Sequence, residues 1–290
     1  MPASRRPGYH PTKQPLLTMP VDPQLRALDI EIPTQPEVLV KLSLLMADED
    51  IDLQAVSSLV ETDMALAAAV LKAVNSSLYG LRGRVQTVHQ ALTYLGMREV
   101  AAITFEMGLR AAFPPAVELE PVWSRAAKRG LLMGRMGQML GVDPWAAHSA
   151  GLFEECGKAV LYRHAPGHYP AMLRAAGSDK ELVQLEHTAF GVSHDALGAA
   201  LCESWGLAPA AVASVRYHVQ VQDELQMPEA MQRRGVGAIS LVAWTLMNKP
   251  ESLDETVMEI APQAQLDETL MLRAARRVEE QLQQAESRGR

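Results

Sequence analysis

The stretch AGLFEECGKAVL, residues 150–161, carries the reading of the fold. Small and apolar residues fill it without the alternation of a strand. Upstream, Asp143 and Pro144 supply a helix cap and a first turn. The segment therefore reads as the middle of a helix over about 144–164. Glu154, Glu155 and Lys158 sit on it. Adjacent helical residues diverge by about a quarter turn, so only one of the two glutamates would naturally face an interior site.

Working outward, a helix over about 121–140 precedes this one, and Pro114–Pro115 mark an internal boundary. Before the boundary, Pro36 suits a first helical position, followed by Val38, Leu39, Leu42, Leu45 and Met46 on one face. An acidic turn at 48–52 lets Asp52 cap a short helix to Val60, and another helix follows Asp63 with Leu66, Val70, Leu71 and Val74 on a stripe. A polar connection spans 75–83. Thr87 and Gln90 form a capping box for a helix to Leu95, Gly96 breaks it, and 98–113 reads helical again. Downstream, Ser178 and Glu181 form a second capping box, and helices are expected near 194–205, 209–218 and 228–248. A charged helix from Asp267 to about Ala285 carries Leu266, Leu270, Ala274, Val278 and Leu282 at every fourth position and is expected to cap its own domain. Residues 1–24, rich in Pro and polar groups, read as a disordered tail. The fold class is all-α.

Composition agrees. Aromatics are only 5% while Ala, Leu and Met are abundant, a balance that favours helices over sheets. The length of 290 residues allows one large domain or two small ones. A net charge of -7 gives no general basic footprint for a polyanionic partner. Cys156 and Cys202 form no CxxC pair and read as reduced core thiols. No apolar run is long enough for a membrane span, and prolines interrupt the N-terminus where a secretory signal needs a hydrophobic stretch, so a cytoplasmic protein is expected.

Two groups of motifs resemble the HDOD family, relatives of the HD phosphohydrolases. The first is IPTQPEVLVKL (32–42) with DMALAAAVLKAVNSSLYGLRGRVQTVHQALTYLGMREV (63–100); the second is AGLFEECGKAVL (150–161), FGVSHDALGAALCESWGL (190–207) and VRYH (215–218). The resemblance covers about 25–225 and implies a multi-helix HDOD/HD-like bundle: an N-terminal helical subdomain (25–113), an HD-like subdomain (116–225), and C-terminal helices (226–290) packed on the domain. It also implies a bacterial signalling output or scaffold module.

The departures bear on chemistry. Active HD enzymes hold metal with His and Asp side chains from several helices, above all a His–Asp pair. The resemblance places that pair at Glu154 and Glu155, an upstream His at Arg125 and a late Asp near Trp244. Of the pattern, only His194 and His218 remain. Arginine cannot act as a ligand, and a water-activating zinc site typically needs three protein ligands. No catalytic residue, no metal and no cofactor is therefore expected. The alternative is a rearranged site of Glu154, Glu155, His194 and His218. Arg125 is expected to replace the lost metal as the cation, with Lys158 holding the other carboxylate; separate surface charges are the plainer alternative.

Other candidates read as ordinary structure. Pro166 and Gly167 separate His164 from His168, and His187 reads as exposed. Ser193–His194–Asp195 reads as a helix start, with an acid–base pair as the alternative. No Gly-x-Ser-x-Gly elbow or Gly-rich phosphate loop occurs. Arg82 and Arg84 form a small basic loop, and Met133, Met136 and Met139 read as core. The expected function is non-catalytic recognition of signalling proteins in trans, with the old cleft a remnant or a pocket for a small regulatory ligand. The alternative is a metal-dependent phosphohydrolase acting on a nucleotide or cyclic dinucleotide. Nucleic-acid binding through the tail and the GLRGR loop is a third reading.

Overall fold

A computed structural model describes residues 30–46, 52–81 and 83–288. The expected tail (1–24), Arg82 and most of the acidic turn at 48–52 lie outside the described residues. Within them the chain forms fourteen α-helices and no strand.

Helix α7 (Pro144–His164) is the axis of the molecule, and every residue from Ala146 to Leu161 is buried. Asp143 caps it through the amides of Trp145 and Ala146. A helix of small and apolar residues on all sides can be covered all round, and here it is. Helix α6 (Glu120–Leu140) runs back along it after a left-handed turn at Gly141. The two backbones approach so closely that a Cβ on Gly151 would lie 2.8 Å from the Gly130 Cα. On the opposite side α10 (His194–Ser204) crosses α7 at Gly157. A Cβ there would lie 1.8 Å from the His194 carbonyl oxygen, which explains the glycine in the ECGK motif by close approach alone. Helices α11 (Pro209–Glu224) and α12 (Arg234–Asn248) close the bundle, with α8 (Tyr169–Ala175) and α9 (Asp179–Phe190) at one end.

The N-terminal helices α1 (Glu37–Met46), α2 (Leu53–Glu61), α3 (Met64–Val74) and α4 (Val88–Leu95) gather around α5 (Met97–Ala111). Phe105 of α5 meets Trp145 edge-on at 5.2 Å and Phe153 at 6.1 Å, and Phe153 meets Trp205 at 5.5 Å. The Trp205 indole donates to the Pro33 carbonyl at 2.9 Å. These rings join the two halves, and one buried apolar cluster extends from Leu39 to Leu282. Asn75 fixes the connection after α3 by bonding both the amide and the carbonyl of Val85 at 2.8 Å.

Asp52, Asp63, Thr87 and Ser178 cap helices as their residue types suggest. In the two capping boxes the Gln90 and Glu181 side chains return to the preceding residues, Gln86 and Gly177. Helix α8 and α13 (Leu253–Ile260) are not foreseen in the sequence, α11 runs to Glu224, and α12 starts at Arg234 rather than near 228. In α14 (Glu268–Arg288) the buried stripe begins at Met271 rather than Leu270, then follows Ala274, Ala275, Val278 and Leu282 against α6, α12 and α13.

A fragment beginning at Ala116 should aggregate or melt without a sharp transition, because it strips Phe105 and the Pro33 acceptor from buried aromatic rings. A fragment melting cooperatively near the full chain's midpoint would contradict this.

Candidate functional site

Five helices bring charged side chains into one buried cluster. Glu154 and Glu155, on α7, are 0% and 2% exposed. Both face the interior, against the expectation that only one would. The reason is that cations meet them from different directions. Arg129 of α6, 2% exposed, donates to Glu154 at 2.9 Å and lies 3.6 Å from Glu155. Ser214 of α11 donates to the other Glu154 oxygen at 3.1 Å. Lys158 donates to Glu155 at 3.0 Å and to Asp179 of α9 at 2.7 Å. It therefore serves Glu155 and not Glu154.

Arg125 reaches Glu155 at 3.1 Å, but its side chain is 44% exposed, so it closes the cluster from the solvent side. The interior cation on α6 is Arg129, one turn further along, which the sequence reading missed. Its signal was helical spacing: a second arginine at i+4 shares the face of the first. Asp179 and Glu186 were missed as well, since their partners lie on other helices.

Burial would push the Glu155 carboxyl up, but Lys158, Arg125 and Arg129 outweigh it and hold it at about 2. Burial acts the same way on Asp179, and Lys158 with the two imidazoles carries it well below the carboxylate range. The Lys158 ammonium is disfavoured by burial yet raised by Asp179 and Glu155.

The imidazoles form the other side. His194 Nδ1 lies 2.7 Å from Glu186, which also accepts the His194 backbone N–H at 2.8 Å and the Tyr169 hydroxyl at 2.5 Å. Ser193, at the cap position, makes no side-chain cap and bonds Asp195 instead, while Arg216 holds Asp195 at 2.6 Å. Glu186 thus satisfies the first amide of α10 where a serine cap was expected. His218 Nδ1 lies 2.7 Å from the Val215 carbonyl, which makes Nδ1 the donor. The rings are 5.6 Å apart, and each Nε2 is buried with no hydrogen-bond partner among the described residues. Burial pushes His194 down and Glu186 more than offsets it; burial leaves His218 below its usual value.

Imidazoles anchored through Nδ1 to a carboxylate and a carbonyl are oriented as metal-ligating histidines commonly are. The remaining donors do not fit a metal. Three of the four glutamate oxygens accept hydrogen bonds from Arg129, Ser214, Lys158 and Arg125, the fourth, Glu155 Oε1, lies 3.6 Å from Arg129, and no group of three or more metal-ligating side chains occurs among the described residues. Elsewhere, His164, His168 and His187 are exposed, as is Arg84; Met133 and Met136 are core, with Met139 partly buried; and both cysteines are buried and free.

Residues 32–221 match the HDOD domain. The chain belongs to the HDOD family. A protein of uncharacterized function from Treponema pallidum (strain Nichols) is 24% identical over 196 residues, covering 65% of this chain and 37% of the relative, so the HDOD chain spans little more than a third of that curated relative. An HDOD domain protein of unknown function from Geobacter sulfurreducens has a similar fold, with a TM-score of 0.66, 19% identity and coverage of 89% of this chain and 95% of that one. A candidate phosphohydrolase from Shewanella amazonensis SB2B gives 0.64 at 19% identity over 92% and 97%. A candidate signal transduction protein from Marinobacter aquaeolei VT8 gives 0.67 at 22% over 89% and 59%. These likenesses concern the fold.

Two predictions follow from the charges. Arg129→Met should cost about 3–5 kcal/mol by stranding a buried carboxylate, whereas Arg125→Ala, at the solvent edge, should cost about 1 kcal/mol or less. Adding Glu154→Leu to Arg129→Met should restore much of the loss; denaturant titrations showing no coupling between the two sites would refute the assignment. Separately, the depressed Glu155 and Asp179 contribute stability that is present above their unfolded values and lost as pH falls toward the folded ones. The thermal midpoint should therefore fall steeply between about pH 5 and about pH 2.5, and a flat profile would count against the cluster.

Proposed function

We propose that this HDOD chain is a non-catalytic regulatory module of bacterial, cytoplasmic signal transduction that works by recognising signalling proteins in trans. The observation that carries the reading is the state of Glu154 and Glu155. The resemblance puts the metal-holding pair at these positions, and here Arg129, Lys158 and Arg125 engage both carboxylates in its stead. A guanidinium is permanently charged and offers no lone pair, so it neutralises carboxylates without activating water. No single helix among the described residues is long and apolar enough to cross a membrane, which agrees with this setting.

The second reading, a metal-dependent phosphohydrolase acting on a nucleotide or cyclic dinucleotide, draws on one specific feature: the His194 and His218 rings are still anchored through Nδ1 with unpartnered Nε2 atoms. Two imidazoles fall short of the three protein ligands that water-activating zinc sites usually have. Metal-stripped protein supplied with Mn, Mg, Fe or Ni ions should hydrolyse neither phosphomonoesters nor cyclic dinucleotides. Turnover that vanishes in Glu155→Ala would establish the second reading and end the first.

A further inference from the structure

A cleft of about 860 Å³ opens between the two halves, away from the buried cluster, bounded by α3, the connection that follows it, α5, the Pro114–Pro115 link and α6. Its size is that of a small-molecule site. Phe113 and Trp123, 5.5 Å apart, help form apolar walls. Among these walls sits Glu106 of α5, only 9% exposed, and no described residue hydrogen-bonds its carboxyl. Arg110, one turn on, is paired instead with Glu120. Burial pushes the Glu106 carboxyl up to about 7, with Arg110 opposing. Ser76 and Tyr79, from the SSLYG part of the sequence motif, line the same cleft, and burial together with Glu106 keeps the Tyr79 phenol protonated.

A buried carboxyl is normally paired, and one with no hydrogen-bond partner among the described residues while opening on a cleft calls for a donor from outside. Two carboxylate oxygens are best met by two parallel N–H groups. A guanidinium offers them but brings no anion to meet Lys72 at the exposed rim. A neutral ring with two adjacent N–H donors and an attached anion suits both the floor and the rim, and apolar walls suit its flat faces. Guanine has such an edge, whereas adenine does not.

We propose that this cleft binds a guanine nucleotide, the ring N–H pair docking on Glu106 and the phosphate lying toward Lys72. The site is separate from the HD remnant and goes beyond the recognition role proposed above.

The titratable groups that line the cleft with Glu106 are Lys72 from α3, Tyr79 from the connection, Arg110 from its own helix, and Glu120 and Lys128 from α6, and of the charged ones Arg110 acts on the carboxyl. The ring donors require the ionised carboxylate, so affinity should rise with pH through neutrality. The test is calorimetric titration of the full chain with guanosine 5′-monophosphate, guanosine, adenosine 5′-monophosphate and agmatine at pH 6, 7 and 8. Guanosine monophosphate should bind, and guanosine, which has no phosphate to titrate, should gain roughly tenfold in affinity from pH 6 to pH 8, following the ionised fraction of a group titrating at 7. At pH 8, Glu106→Gln should weaken both guanine ligands at least about tenfold, and for guanosine it should abolish the pH dependence, with the thermal transition retained. Lys72→Ala, at an exposed position, should weaken the monophosphate and leave guanosine unchanged. The proposal is overturned if no guanine ligand binds at any pH, if Glu106→Gln binds as well as the natural chain, if adenosine monophosphate binds equally, or if agmatine binds more tightly.

Discussion

The Arg129 guanidinium lies beside two carboxylates in a region with almost no solvent, and the packing of α6 on α7 has to hold it there. Two like charges held this close in low dielectric repel strongly, and each alone would carry a desolvation penalty of several kcal/mol. Glu154, Glu155 and Asp179 supply three negative charges; Arg129, Lys158 and Arg125 supply three positive ones. These six charges balance, so removing any single interior one strands a charge. The attraction does not make the cluster a large net source of stability, since apolar replacements of a whole buried pair are often neutral or better. It makes the arrangement specific: the helices must keep their relative register for each carboxylate to meet its cation.

That register is set by backbone contacts between small residues. Gly130 against Gly151 lets α6 approach α7, and Gly157 against the His194 carbonyl lets α10 do the same. The close approach brings Arg129 to Glu154 and sets Glu186 under the start of α10. Gly157 and Lys158 thus have structural reasons for their places in the motif: one permits a helix crossing, and the other ties Glu155 to Asp179. Neither role requires a reaction at the site.

Much of this was legible from the chain alone. Helix periodicity and caps located the main elements because capping chemistry is local: an aspartate or threonine at the right offset reveals its helix without knowledge of the rest. The all-α bundle and the departures at Arg125, Glu154 and Glu155 came from motif order and spacing. Helices α8 and α13, of seven and eight residues, are too short for an apolar period to establish itself. The ion-pair partners were hidden for a different reason. Asp179 and Glu186 lie 21 and 8 residues from Lys158 and His194, and nothing local couples them. Arg129 was hidden by the motif itself, which drew attention to the position one turn earlier.

Cations that belong to the chain itself also set what the core depends on. A divalent ion carries two positive charges; Arg129 and Lys158 supply the same number from within the chain. A core held by metal gains stability with free metal concentration, because binding to the folded state alone shifts the folding equilibrium. A core held by covalently attached cations has no such dependence, and arginine, unlike imidazole, keeps its charge across the physiological range. The carboxylates can therefore stay buried, and the fold that surrounds them can persist, without the ion that such a pair would otherwise require. Neither a guanidinium nor an ammonium, however, supplies an open coordination position of the kind that activates water.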